Sequence, residues 1–205
     1  SNLLQQILEK KKKLNKLRPL PNIILEKLKN DISLEWTYNS NAIEGNTLTL
    51  QETRLVLEEG ITIKGKSLRE HFEAKNHEKA IAHLELLVQQ KSNISEDHIL
   101  QLHKLVLDGI EEDFAGRYRN GQVRIMGANF IPPAGRKVPE LMTEFTQEIK
   151  NQRNKKNDLE LATFIHHRFV WIHPFFDGNG RTARLLMNII LMQSGYPPAV
   201  ILKND

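Results

Sequence analysis

The chain contains no cysteine. Disulfide scaffolds, thiolate catalysis and cysteine-ligated zinc are therefore excluded. No apolar run approaches the length of a membrane-spanning helix. The opening segment, SNLLQQILEKKKKLNKL, mixes charged with apolar residues and lacks the unbroken apolar core of a signal peptide. These absences fit a reducing compartment, and the expected localisation is cytoplasmic, with no membrane partner. Internal repeats and low-complexity linkers are also missing. What is present is ordinary for a globular chain: 205 residues, 40% hydrophobic and 26% charged, enough for one compact domain or one domain with a helical extension. The net charge of +4 and a pI near 9.2 permit nucleic acid or a phosphorylated ligand. Much of that excess lies in Lys10 to Lys13, a run better read as a solvated helix face.

Apolar spacing predicts mostly helix. Residues 3–17 suit a helix ending before Pro19 and Pro21. Residues 22–39 carry Ile23, Ile24, Leu28, Ile32 and Trp36 at near-helical spacing, and Asn46-Thr47 breaks the pattern. Further helices are predicted over 49–59, ended by Gly60, and over 67–90. Another runs from an N-cap at Ser95 to about Leu107. Between residues 121 and 133, two short β-prone runs flank Gly127-Ala128 and stop at Pro132-Pro133, which reads as a hairpin. Helices resume over 139–151, 158–172 and 180–194. The fold class is mostly α, with one β-hairpin.

The segment with chemistry in it is His173-Pro-Phe-Phe-Asp-Gly-Asn-Gly-Arg-Thr-Ala-Arg184. Pro174 ends the preceding helix and leaves His173 at its C-terminal edge. Gly178 and Gly180 allow a ligand close to the backbone, and a new helix then begins. Its first N–H groups lack intrahelical acceptors and favour an anion. Arg181 and Arg184, three apart, project from one side of the first turn, and two guanidinium groups there suit a polyphosphate. Asp177 offers the hard oxygen that Mg²⁺ takes beside a triphosphate. One loop thus supplies a base, a metal ligand, an anion cradle and two phosphate clamps, the parts of a phosphorus-centred transfer.

This stretch resembles the Fic family signature, HxFx(D/E)GNGRxxR, at all eight fixed positions: His173, Phe175, Asp177, Gly178, Asn179, Gly180, Arg181 and Arg184. The resemblance implies a Fic fold, a helical bundle with a hairpin flap, and extends from about residue 20 onward. It implies that residues 1–90 form an N-terminal helical region and 91–205 the Fic core. It further implies an adenylyltransferase that moves AMP from ATP, with Mg²⁺, onto a Ser, Thr or Tyr hydroxyl of a protein. That protein could be the chain itself, and a homodimer is among the arrangements the resemblance allows. In that reading His173 is the base and Asp177 holds Mg²⁺. Gly178, Asn179 and Gly180 cradle the phosphates, with Asn179 on the α-phosphate. Arg181 and Arg184 bind the outer phosphates, and Phe175 anchors the loop.

Two further segments share the resemblance. Residues 123–133 are similar to the Fic flap, with Ile125, Met126, Gly127 and Ala128 at its tip; an ordinary surface hairpin is the plain alternative. Ser40-Asn-Ala-Ile-Glu44-Gly45-Asn46 resembles the Fic inhibitory motif (S/T)xxxE(G/N). Ser40 and Glu44 stand one helical turn apart, and the resemblance implies that Glu44 pairs with Arg184 and blocks the γ-phosphate position. Alone, the motif would read as an exposed Glu before Gly45. The other histidines, including His166 and His167, lack metal-ligand spacing and read as structural. Trp36 and Trp171 read as core residues. Arg117 and Arg119 flank Tyr118 before the flap, where ligand contacts and a surface turn fit equally well. Removal of AMP, transfer of another group at the same site, and a basic nucleic-acid-binding regulator are the competing functions.

Overall fold

The structure, a computed structural model, describes residues 2–204, so the outermost residues of the two expected regions, Ser1 and Asp205, lie outside the described residues. Among the described residues eight α-helices follow in order: α1 Asn2–Leu17, α2 Asn22–Ile43, α3 Leu50–Glu58, α4 Leu68–Gln89, α5 Glu96–Val106, α6 Val138–Gln152, α7 Asp158–Ile172 and α8 Asn179–Gln193. A 3₁₀ turn, Gly135–Lys137, leads into α6.

The helix starts follow from local chemistry. Thr49 and Ser67 each accept the N–H of the residue three ahead, and Glu52 and Glu70 bond back to the cap N–H, forming two capping boxes. Ser95 caps α5 as expected, accepting the N–H of His98. Asn157 does the same for Glu160 at α7. Helix α2 runs four residues past the predicted end at residue 39. Asn39 and Asn41 are weak helix formers, but tertiary bonds outweigh propensity: Asn41 Nδ2 donates to Glu73 O at 3.1 Å and Arg184 Nε to Ser40 Oγ at 2.9 Å.

Helix α8 is the centre of the bundle. It packs along α7 and also meets α4, α5 and α2. Its residues from Arg181 to Leu191 are all buried, as suits a helix that is mostly apolar on every side beyond its first turn, with Arg184 and Asn188 the polar exceptions. One large core joins Trp36 of α2, Leu84 of α4, Leu102 of α5, Phe145 of α6, Phe169 of α7 and Leu186 of α8. Helix α1 buries no residue. Ile23, Ile24 and Leu28 of α2 are exposed; of the series Ile23, Ile24, Leu28, Ile32 and Trp36 only Trp36 is in the core.

The segment expected as a hairpin turns where the sequence places it, with the Ala128 N–H donating to Ile125 O at 3.2 Å. Gln122 Nε2 reaches Pro132 O at 2.9 Å across its base. No strand forms among the described residues. Pro132 and Pro133 remove donors from the returning arm, and two arms without a third strand pair weakly. Phe130 holds the flap down on Trp171, ring centroids 6.0 Å apart, so Trp171 is half-buried beneath the flap rather than sealed in the core.

Candidate active site

His173 caps α7 in the left-handed conformation, φ 51°, a position usually filled by Gly and costing another residue roughly 1–2 kcal/mol. Strain of this kind collects where a side chain must be aimed. The ring's Nδ1 lies 3.3 Å from Val170 O. A carbonyl only accepts, so Nδ1 carries the proton and the Nε2 lone pair is left for substrate. Burial pushes the imidazole below its ordinary value and keeps it neutral at pH 7.

The loop beyond it is fixed from within. Asn179 is buried and spends both ends of its amide on Phe175, accepting its N–H and donating to its carbonyl, each at 2.9 Å. Its side chain therefore shapes the loop. Gly178 precedes α8 with φ 76°, and a Cβ there would press on the His103 ring at 3.3 Å. The first main-chain bond of α8 runs from Thr182 N–H to Gly178 O, which leaves the amides of 179–181 ahead of it free of intrahelical acceptors.

Charged side chains surround this helix start. Asp177 takes the Gly178 N–H on Oδ1 at 2.6 Å and Arg69 on Oδ2 at 2.5 Å. Burial works to raise its pKa, but Arg181, the Gly178 N–H and Arg69 together hold it below its ordinary value. Arg181, almost fully buried, lies 3.4 Å from both Glu73 and Asp177. Arg184 is gripped by the end of α2: Nε donates to Ser40 Oγ at 2.9 Å, and Nη2 to Ser40 O at 2.9 Å and to Glu44 Oε1 at 2.6 Å.

Glu44 sits directly on the anion position. A Cβ added to Gly180 would lie 2.1 Å from Glu44 Oε1. The carboxylate thus rests on the helix start where Gly180 leaves room, with Arg184 as counter-ion. The Glu44 side chain is 35% exposed and that of Arg184 only 7%. The pair is too open for the full roughly 3–5 kcal/mol of a buried one.

A family model described as Fic/DOC family matches residues 93–191. A solved Fic-domain signalling protein from Bacteroides thetaiotaomicron superposes with a TM-score of 0.88 at 33% identity, over 98% of this chain and 76% of that one. The chain belongs to the Fic/DOC family. Fic-1 from C. elegans also superposes, with a TM-score of 0.81 at 34% identity over 100% of this chain and 62% of that structure. Among curated proteins, Protein adenylyltransferase Fic of Nematostella vectensis is 37% identical over 99% of this chain and 47% of its own length. Protein adenylyltransferase fic-1 of Caenorhabditis briggsae is 41% identical over 81% of this chain and 33% of its own length. The chain therefore spans less than half the length of either curated relative.

The Fic signature names the loop but not what supports it. Arg119, for which a ligand contact and a surface turn had fitted equally, does neither. It is buried and donates to four carbonyls: His173 at 2.7 Å, Gly121 at 2.7 Å, Pro133 at 2.6 Å and Ile172 at 3.2 Å. It clips the Fic loop to both feet of the flap. His103 stacks flat on Phe175, centroids 3.5 Å apart. Its Nδ1 accepts the Gly116 N–H, so Nε2 carries the proton and donates to Asp177 O, both at 2.9 Å. Glu73 and Arg69 complete the charge network from α4. Only tertiary folding brings these four to the loop, and no local spacing marks them.

Proposed function

We propose that this Fic domain transfers AMP from ATP to a hydroxyl of a protein substrate, and that Glu44 holds the reaction in check. The observation that carries the reading is a neutral imidazole with a free lone pair beside a helix start that bears two arginines and a carboxylate. The names of the curated relatives supply the nucleotide and the reaction class.

His173 Nε2 takes the proton of the attacking hydroxyl. The hydroxyl oxygen bonds to the α-phosphorus, the α–β bridge breaks, and pyrophosphate leaves with the electron pair. The amides at the start of α8 and Arg181 hold the phosphates, and Arg184 takes the outermost one once Glu44 lets go. Asp177 suits Mg²⁺: its oxygens are hard and ionised. Among the described residues no group of three ligating side chains lies together, so a cation here would share Asp177 with substrate phosphates. When bound, Mg²⁺ supplies charge that offsets the polyphosphate and orients it. The flap turn, Ile125 to Ala128, with Met126, Gly127 and Ala128 exposed, is placed to meet an extended segment of the target.

Labelled ATP tests this. With Mg²⁺, Glu44→Gly protein is expected to retain label on protein from the α-phosphate and none from the γ-phosphate, well above wild type, and His173→Ala is expected to abolish it. Retention from the γ-phosphate alone would make the enzyme a kinase. Equal labelling by wild type and Glu44→Gly under saturating Mg·ATP would remove the inhibitory role. A second reading rests on Glu44 itself: a partly exposed carboxylate at the α8 start is placed to draw a proton from water and release AMP from a modified protein. Release of AMP by wild type but not by Glu44→Gly would support it.

A further inference from the structure

Arg69 stands at the second position of α4, where a cation opposes the helix dipole. Its side chain is 45% exposed, and it points into a cluster of carboxylates. Nη2 lies 2.5 Å from Asp177 Oδ2, Nε 3.2 Å from Glu73 Oε1 and Nη1 3.4 Å from Glu111 Oε1. The other Asp177 oxygen is committed to the Gly178 N–H and to Arg181. Arg181 is 2% exposed and has little room to leave. A divalent cation reaching Asp177 must therefore take Oδ2, and the group it displaces there is Arg69.

We propose that Arg69 is a built-in competitor for the metal position: it neutralises Asp177 when no cation is bound and sets how much divalent cation the site requires. This rests on the assignment of Asp177 as the Mg²⁺ ligand under the proposed function. Glu111 and Glu73 make the exchange reversible. They keep the displaced guanidinium tethered at the rim, so the site changes one cation for another rather than losing a positive charge to solvent. Arg69 is thus a positioning residue, acting through Asp177, and the pairing is exposed enough that its effect is moderate.

The test reads binding, not turnover. A fluorescent mant-ADP is titrated with MgCl₂ at fixed nucleotide, and again in EDTA, against wild type, Arg69→Gln, Glu111→Gln and Asp177→Asn. ADP lacks the γ-phosphate, the group for which Glu44 must release Arg184, and Glu44 is unchanged in every variant compared. Arg69→Gln is expected to lower the Mg²⁺ midpoint about fivefold, with metal-free affinity unchanged or weaker. Glu111→Gln, which leaves Arg69 more fully on Asp177, is expected to move the midpoint upward, and it carries the test should Arg69→Gln fail to fold. Asp177→Asn is expected to lose the Mg²⁺ response. If Asp177→Asn keeps the wild-type midpoint, the metal assignment itself fails and the proposal with it. If Asp177→Asn loses the response but Arg69→Gln leaves the midpoint unchanged or raises it, Arg69 is an ordinary site residue and the competitor role is overturned.

Discussion

Arg119 shows how much of a Fic site can rest on one residue outside its signature. Four carbonyls converge on a guanidinium that is 1% exposed. A lysine in its place has three donors on a point rather than a planar fork, so at least one buried carbonyl would go unsatisfied, at about 1–3 kcal/mol each. Arg119→Lys is expected to lower unfolding free energy by about 2 kcal/mol or more in urea titration. A loss under about 0.5 kcal/mol, the range of ordinary surface changes, would show that the carbonyls find other partners. The effect should also reach function. Because Nε holds the His173 carbonyl, loosening it relaxes the left-handed cap that aims the imidazole.

At the scale of elements, the central event is that the end of α2 meets the start of α8. What fixes the end of α2 is the loop after it, and that loop is stapled to α4. Glu70, already in the Ser67 capping box, accepts the Thr47 N–H at 2.8 Å and its hydroxyl at 2.6 Å. The Thr47 hydroxyl first, with further help from the Ser67 and Thr47 backbone amides, holds the Glu70 carboxyl down at about 2. Asn46 donates to Glu70 O and Glu73 Oε2. Glu70→Ala should therefore cost about 1 kcal/mol in cap stability and free Glu44 to swing. AMP transfer is expected to rise part-way toward that of Glu44→Gly. Wild-type activity alongside the expected loss of stability would separate the staple from inhibition. The same elements show what a sequence can reveal. Helices and caps were legible because they depend on neighbours a few residues apart, and the loop from His173 to Arg184 because one contiguous turn makes its anion site. A helical turn from Ser40 to Glu44 was legible in the motif, but its continuity with α2 was not, since that depends on Glu73 and Arg184 across the bundle. Nor was the absence of a strand ladder in the flap, where β-prone residues lack a partner to pair with.

At the scale of the whole molecule, the site's floor is also where sensitivity to acid is expected. His103 lies under the Fic loop against Phe175, and His77 lies fully buried between α2 and α4. There its ring is edge-on to Trp36 at 5.8 Å and bonded to Thr37 Oγ1 at 3.0 Å. Burial lowers His103 to about 4 and His77 to about 3, and the charges of Arg184 and Arg181 push His77 the same way. In the unfolded chain both rings titrate near 6.5. Between that value and the folded ones, the unfolded state binds more protons, so stability falls as pH drops below about 6.5. The slope is about 1.4 kcal/mol per pH unit for each ring. Two rings acting from pH 6.5 to 5 remove about 3–4 kcal/mol, a large share of a typical domain's roughly 5–15 kcal/mol. Most carboxylates have yet to titrate in that window, so the loss belongs to the histidines. Urea unfolding at pH 7.5, 6.0 and 5.0 should show this fall, and His103→Gln should shallow the slope by about one ring's worth. A flat profile between pH 7 and 5 would mean that these rings accept protons without leaving the core. The chemistry at the start of α8 would then stand on a base that tolerates charge, because a protonated His77 would share that base with Arg181 and Arg184.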